Sequence, residues 1–140
     1  MNFFKQLCIF QNTQTFKDAI GVDVYPAKSP QDGLLRPTYT ASGYSVFNLI
    51  LDNHILSHQG VSNIGECMVQ YDFYSNVFSD IQTIPVNLID LYEGIKQDIG
   101  NNYEINYCKL ETDLQQNNQD LDLVYRRTLD FTFRYRLSVV

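Results

Sequence analysis

The sequence predicts a single α+β domain, in which a mainly antiparallel sheet carries helices on one face and ends in a long C-terminal β-hairpin. Apolar and polar residues alternate without a break from 128 to 139, which is the pattern of a half-buried strand. Apolar residues between 81 and 99 recur at three- or four-residue steps, as on one face of a helix. A length of 140 residues fits one domain, spanning 1–140.

The N-terminal segment 3–20 is predicted to form one or two short helices. Phe16, Ala19 and Ile20 have the spacing of one helical face. The pair at 12–13, Asn followed by Thr, is typical of a helix N-terminus, and Gly21 is typical of a helix C-terminus.

Residues 22–75 are predicted to contain strands and one long loop. The strand candidates are residues 22–25, residues 38–40 and the well-alternating segment 66–74, in which Cys67, Val69, Tyr71 and Phe73 share one face. Prolines at 26, 30 and 37 punctuate a loop of about ten residues, longer than usual. Residues 46–56 are apolar but have no clear period, and the segment 60–65 is predicted to be a turn.

The second half of the chain predicts a helix followed by a hairpin. Within 81–99, Pro85 suits the first turn of a helix, so we expect the regular helix to run from Pro85 to Ile99 and to end at Gly100. Segments 103–113 and 121–139 flank a polar turn and are predicted to pair as an antiparallel hairpin. The strand from Leu129 to Val139 extends about 36 Å, whereas a helix over 85–99 covers about 22 Å. Either the N-terminal helix or another subunit must therefore cover the rest of the strand.

Charge is distributed unevenly along the chain. The net charge is −6, which argues against a free nucleic-acid-binding protein. Residues 37–125 carry twelve acidic and two basic side chains, whereas residues 126–140 carry four arginines and one aspartate. A basic C-terminal segment, with Arg126, Arg127, Arg134 and Arg136, thus follows an acidic body. The arginines are typical of a solvated strand face or of a face that meets the acidic body of another copy.

The sequence contains no complete catalytic or metal-binding motif. His54 and His58 could share a metal if they lay one turn apart on a helix, but no third ligand accompanies them. Cys8, Cys67 and Cys108 are scattered, and Cys67 has the position of a core residue. We therefore predict that the chain is not an enzyme and has no cofactor, and that it is made in a reducing cytoplasm. No run of 18 apolar residues predicts a membrane span.

Several short motifs resemble the tail-completion and tail-terminator proteins of tailed bacteriophages. A Val-Tyr-Pro strand end at 24–26, a proline-containing loop, and a Pro37-x-Tyr39 strand start follow a short helix, as in that family. The segment 69–75 is similar to the family's second strand, and the final strand fits by its order in the chain. The resemblance covers roughly residues 12–138.

The resemblance implies a virion structural protein, assembled in the host cytoplasm and placed at the head–tail connector or the tail end. Its partners would be copies of itself in a ring of six or twelve, together with other connector or tail-tube proteins. DNA would be only a passing cargo in the channel. The expected interface residues are the four arginines and the loop residues Tyr25, Pro26, Pro30 and Pro37. The alternative hypothesis is a small cytoplasmic protein-binding or regulatory domain.

Overall fold

A computed structural model describes residues 3–22, 24–26, 44–57, 60–75, 77–117 and 125–138. These ranges contain three helices and six strands. The elements in chain order are α1 (Phe3–Gln11), α2 (Gln14–Ile20), β1 (Val24–Pro26), β2 (Tyr44–Ser57), β3 (Gly60–Ser75), α3 (Phe78–Tyr92), β4 (Gln97–Gly100), β5 (Tyr103–Asn117) and β6 (Tyr125–Leu137). The predicted α+β class is confirmed.

All six strands belong to one sheet, in the order β1-β2-β3-β6-β5-β4. The first pair is parallel and the other four pairs are antiparallel. β5 and β6 form the predicted hairpin, and β6 lies at the centre between β3 and β5. The predicted inward face of β3 is confirmed, because its four apolar residues from Cys67 to Phe73 are buried.

The helices pack on one face of this sheet, as predicted. Phe3 of α1 stacks on Tyr135 with ring centroids 4.1 Å apart, and Tyr92 of α3 meets Phe133 edge-to-face at 5.0 Å. Phe16 of α2 packs against Tyr92. The N-terminal helix thus covers the end of β6 that α3 does not reach, which resolves the mismatch in length between strand and helix without a second subunit.

The predicted helix boundaries are correct for the first two helices. Thr13 is the N-cap of α2, where its Oγ1 accepts a hydrogen bond from the Phe16 amide at 3.3 Å. Gly21 ends the same helix with a φ of 96°, a conformation that glycine adopts without strain. Phe16 and Ile20 are buried, whereas Ala19 is exposed.

The predicted bounds of the third helix, Pro85 to Ile99, are wrong. α3 begins seven residues earlier, at Phe78, and it ends at Tyr92 with Pro85 inside it. Gly94, with a φ of 71°, turns the chain after the helix, and its amide donates to the Cys108 carbonyl. Ile99 is buried in the edge strand β4, so its helical spacing is a coincidence. Gly100 is the last residue of β4, with a φ of 96°, rather than a helix end.

The predicted turn at Gly60 to Gly65 is also wrong, because both glycines lie in β3. Gly65 pairs with His54 on one side and with Tyr135 on the other. A Cβ atom at position 65 would lie 2.3 Å from Cζ of Tyr135. This glycine therefore makes room for an aromatic ring, instead of providing the backbone freedom that a turn requires.

Two buried glutamines fix α1 to the rest of the fold. Gln6 donates to the Ile99 carbonyl at 2.6 Å. Gln11 accepts hydrogen bonds at its Oε1 from the hydroxyls of Tyr71, at 2.5 Å, and Tyr92, at 2.8 Å. Burial raises the pKa of both tyrosines well above the usual range, so the hydroxyls keep their protons and act as donors.

Candidate subunit interface

The four C-terminal arginines are divided between the two faces of β6. Arg127 lies on the helix-covered face, together with Leu129, which is buried. Arg126, Arg134 and Arg136 occupy even-numbered positions on the opposite face, which we call the outer face of the sheet. The structure therefore places three of the predicted interface arginines on one face and the fourth on the other, and Arg126 lies at the opposite end of β6 from Arg134 and Arg136.

Arg126 is bound to a carboxylate of its own chain. Its Nη2 lies 2.9 Å from Oδ1 of Asp72, which is buried and also accepts a 2.6 Å hydrogen bond from the Thr128 hydroxyl. The guanidinium lies over the Tyr74 ring, 5.6 Å from its centroid. Partial burial opposes the charge of Arg126, but the bond to Asp72 outweighs it and raises the arginine pKa. This side chain mainly stabilises the β3–β6 pair.

Arg127 connects the hairpin to α3 by hydrogen bonds near Pro85. Its guanidinium forms two hydrogen bonds with Asp113, of 2.6 and 2.8 Å, which raise the arginine pKa. Its Nη1 also donates to the carbonyls of Ile81 and Gln82, both at 3.3 Å. Ile81 is the residue whose carbonyl would accept from the amide of residue 85, which proline lacks. Arg127 thus supplies a donor that allows Pro85 to lie within the helix.

Replacing Arg127 with methionine is expected to lower the free energy of unfolding by about 2 kcal/mol, because hydrogen bonds to a charged group are lost. Urea denaturation of Arg127→Met, Pro85→Ala and the double variant measures how the two positions are coupled. With alanine at 85 the Ile81 carbonyl regains an amide donor, so the Arg127 substitution is expected to cost about 1 kcal/mol less. Additive effects would show that Arg127 does not compensate for the proline.

Arg134 and Arg136 are exposed at one end of the outer face. Arg134 lies 3.8 Å from Glu66, and the two side chains are 54% and 47% exposed, so this pair is loose. A shallow depression of about 300 Å³ is lined by Arg134 and Glu66, together with Tyr107, Lys109, Glu111 and Thr132. Tyr107 is 51% exposed. This end of the outer face therefore offers two exposed arginines beside an aromatic ring, with carboxylates on the neighbouring strands.

The predicted loop residues lie far from this surface or outside the described residues. Tyr25 and Pro26 belong to β1, at the edge of the sheet, and Pro26 is exposed. β1 is three strands away from β6, or about 14 Å at the usual strand spacing. Pro30 and Pro37, like the strand predicted at 38–40, lie outside the described residues.

The helix side of the molecule carries a complementary charge that the sequence analysis did not single out. Asp80, Asp90 and Glu93 belong to α3 or cap it, and the helix contains no basic residue. Asp90 and Glu93 are exposed at its C-terminal end, where the helix dipole is negative and carboxylates are unfavourable. Asp90 and Glu93 are visible in the sequence. Because the helix was predicted to end at Ile99, however, they were not placed at its C-terminal end.

The residues considered for catalysis do not form a reactive group. Cys67 and Cys108 are buried core residues. Burial raises the pKa of the Cys108 thiol, as it does for the half-buried Cys8, and this disfavours the thiolate that a nucleophile requires. His54 lies in strand β2 rather than on a helix, so the geometry assumed for a metal shared with His58 is wrong. His58 itself lies outside the described residues.

The described ranges contain neither a metal-binding cluster nor a membrane-spanning helix. No group of three or more His, Cys, Asp or Glu side chains among these residues is arranged to hold a metal ion. No helix in the same part of the chain is long and apolar enough to cross a membrane.

Comparison with known proteins identifies the fold. No protein-family model matches the sequence, and no curated protein sequence matches it. Among solved structures, the chain is similar to a chain in the virion of a native gene transfer agent particle, with a TM-score of 0.54 and 13% identity. The match covers 95% of this chain and 90% of the other. At this level of identity the comparison shows a shared fold, and it extends over almost the whole domain.

Proposed function

We propose that this protein is a structural subunit of a phage-like virion, where it forms a ring at the head–tail connector or at the tail end. The observation that carries the proposal is the fold shared with a chain of a gene transfer agent virion along 95% of the sequence. The motifs at 24–26 and 69–75 support it independently, because they resemble tail-terminator proteins. The ring contains six or twelve copies and contacts other connector or tail-tube proteins.

The charge distribution supports a subunit that meets its own copies. Arginines are exposed on the outer face of the sheet, and carboxylates are exposed on α3. Two unlike surfaces of this kind allow a head-to-tail contact, which closes into a ring when the rotation between copies permits. The net charge of −6 suits a channel in which DNA is a passing cargo, since like charges weaken adhesion.

The proposed role needs no catalysis and no cofactor. The protein is assembled in the host cytoplasm and remains in the virion, at the tail or the head–tail junction. The second candidate function is a small cytoplasmic protein-binding or regulatory domain. It differs in one testable property, since a binding domain of this size remains a monomer.

Reversing the charge of Arg134 and Arg136 to glutamate is expected to abolish assembly and to leave the monomer folded. Both side chains are exposed, and among the described residues the one ion pair that either forms is the 3.8 Å contact of Arg134 with Glu66. Charges at an interface determine register and the choice of neighbour more than they determine the fold. Native mass spectrometry of the purified wild type and variant measures the copy number, and circular dichroism checks the fold.

The matched control is Lys5→Glu with Lys17→Glu, which changes the net charge by the same amount on the helices α1 and α2. This control is expected to assemble like the wild type. A wild-type chain that stays monomeric, both alone and with its neighbouring virion proteins, would reject the ring and favour the cytoplasmic binding domain.

A further inference from the structure

We infer that the end of the outer sheet face with Arg134, Arg136 and Tyr107 docks on the C-terminal end of α3, at Val86, Asp90 and Glu93, in a second copy of this chain. The inference rests on the proposed function, because it assumes that the chain assembles with itself. Beyond the proposed ring, it specifies which two surfaces of neighbouring copies meet and which side chains pair across the contact.

The donor surface has an aromatic residue beside two exposed cations, each of which lies opposite a carboxylate on a neighbouring strand, Glu66 for Arg134 and Glu104 for Arg136. Tyr107 lies opposite Arg134 in the register of β5 and β6, and it is 51% exposed. Tyrosine and arginine are the side chains most enriched at the centres of protein interfaces. The loose pairing with Glu66, at 3.8 Å, leaves Arg134 able to turn toward a better partner.

The acceptor surface has an apolar residue beside two anions. Val86, Asp90 and Glu93 follow at i, i+4 and i+7, so they lie on one face of α3. All three are exposed, Val86 by 39%. The two carboxylates lie at the negative end of the helix dipole, where within the described chain no basic residue of α3 offsets them. Arginines from another copy would relieve this unfavourable arrangement.

The spacing of the charges agrees on the two sides. Arg134 and Arg136 are two residues apart on one strand face, which separates them by about 6.6 Å. Asp90 and Glu93 are three residues apart on a helix, where the Cβ atoms lie about 5–6 Å from each other. Two parallel arginine–carboxylate pairs can therefore form at once, with the valine against the tyrosine ring.

The contact is heterologous, because one copy contributes its sheet face and the other its helix. The charge of each surface can thus be reversed separately. The sheet variant is Arg134→Glu with Arg136→Glu, and the helix variant is Asp90→Arg with Glu93→Arg. The measurement is native mass spectrometry of each variant alone, of an equimolar mixture, and of a chain with all four substitutions. Asp18→Arg, at an exposed carboxylate of α2, is the control for the helix variant.

Each variant alone is expected to remain a monomer, with assembly at least tenfold weaker than in the wild type. The mixture is expected to assemble with equal amounts of the two variants and an even copy number, because every contact then joins opposite charges. The chain with all four substitutions is expected to assemble alone, and this assembly would also show that the substitutions allow folding.

Two results would overturn the inference while the proposed function stands. One is a helix variant that assembles like the wild type. The other is that the equimolar mixture and the chain with all four substitutions both stay monomeric, although the wild type and the control assemble. A wild-type chain that never assembles would reject the inference and the proposed ring together.

Discussion

Truncation of Phe133 to alanine is expected to lower the free energy of unfolding by about 3–5 kcal/mol, the cost of removing a large aromatic side chain from a packed core. Phe133 is fully buried at the centre of the sheet, between Cys67 and Cys108 on the neighbouring strands. Its ring contacts Phe3 of α1 and Tyr92 of α3. The truncation therefore weakens both helix contacts at once. Urea denaturation measures the change.

Arg134→Ala is the matched control on the opposite face of the same strand. Its side chain is 54% exposed, so the substitution is expected to cost less than about 0.5 kcal/mol in the isolated subunit. Phe131→Ala should behave like Phe133→Ala, because Phe131 is equally buried. A larger effect for Arg134 than for either phenylalanine would mean that the two faces of β6 are the reverse of those described.

Replacing Gly65 with valine is expected to lower the free energy of unfolding by about 3 kcal/mol, since overpacking forces neighbours out of place. The added Cβ would lie 2.3 Å from the Cζ and hydroxyl oxygen of Tyr135. The Tyr135 ring cannot move freely, because Phe3 stacks on it with the ring planes only 7° apart. A single substitution in β3 should thus loosen α1. Urea denaturation measures the loss, and hydrogen exchange in α1 locates it.

The test of this explanation is a double variant. When Tyr135→Ala has already removed the ring, Gly65→Val is expected to cost at least about 1 kcal/mol less than in the wild type. An unchanged cost would assign the effect to the backbone of β3 instead of to the contact between Gly65 and Tyr135.

Much of this fold can be predicted from the sequence where a local pattern and the tertiary contacts agree. β6 keeps its alternation because it is central, with one face under helices and the other polar. The same holds for β3 from residue 66 to 74. The ends of α2 follow from its caps, which are local hydrogen bonds. Each of these features depends on residues close together in the chain.

The wrong predictions depend on residues far apart in the chain. Pro85 lies inside α3 because Arg127, 42 positions later, donates to the carbonyl that the proline leaves without a donor. The strand at Gly65 depends on a ring at position 135. β2 showed no clear period because its pairing with β3 shifts between Leu49 and Leu51. No local pattern contains these contacts.

The candidate interface was predictable only in part. The sequence showed the charge of the C-terminal arginines but not which of them are bound within the chain. Asp72 holds Arg126, and Asp113 holds Arg127, across strand pairs that only the fold defines. Arg134 and Arg136 remain as the exposed pair, and the acids that complement them lie at a helix end that was predicted incorrectly.

Deletion of the gene tests whether this protein is a structural part of a virion. Particles produced without the chain are imaged by electron microscopy and assayed for infection or gene transfer. We expect normal, DNA-filled heads beside separate tails or tails with incorrectly formed ends, with activity restored when the gene is supplied from a plasmid. Intact, active particles that lack the chain would show that it is not a structural subunit of the virion.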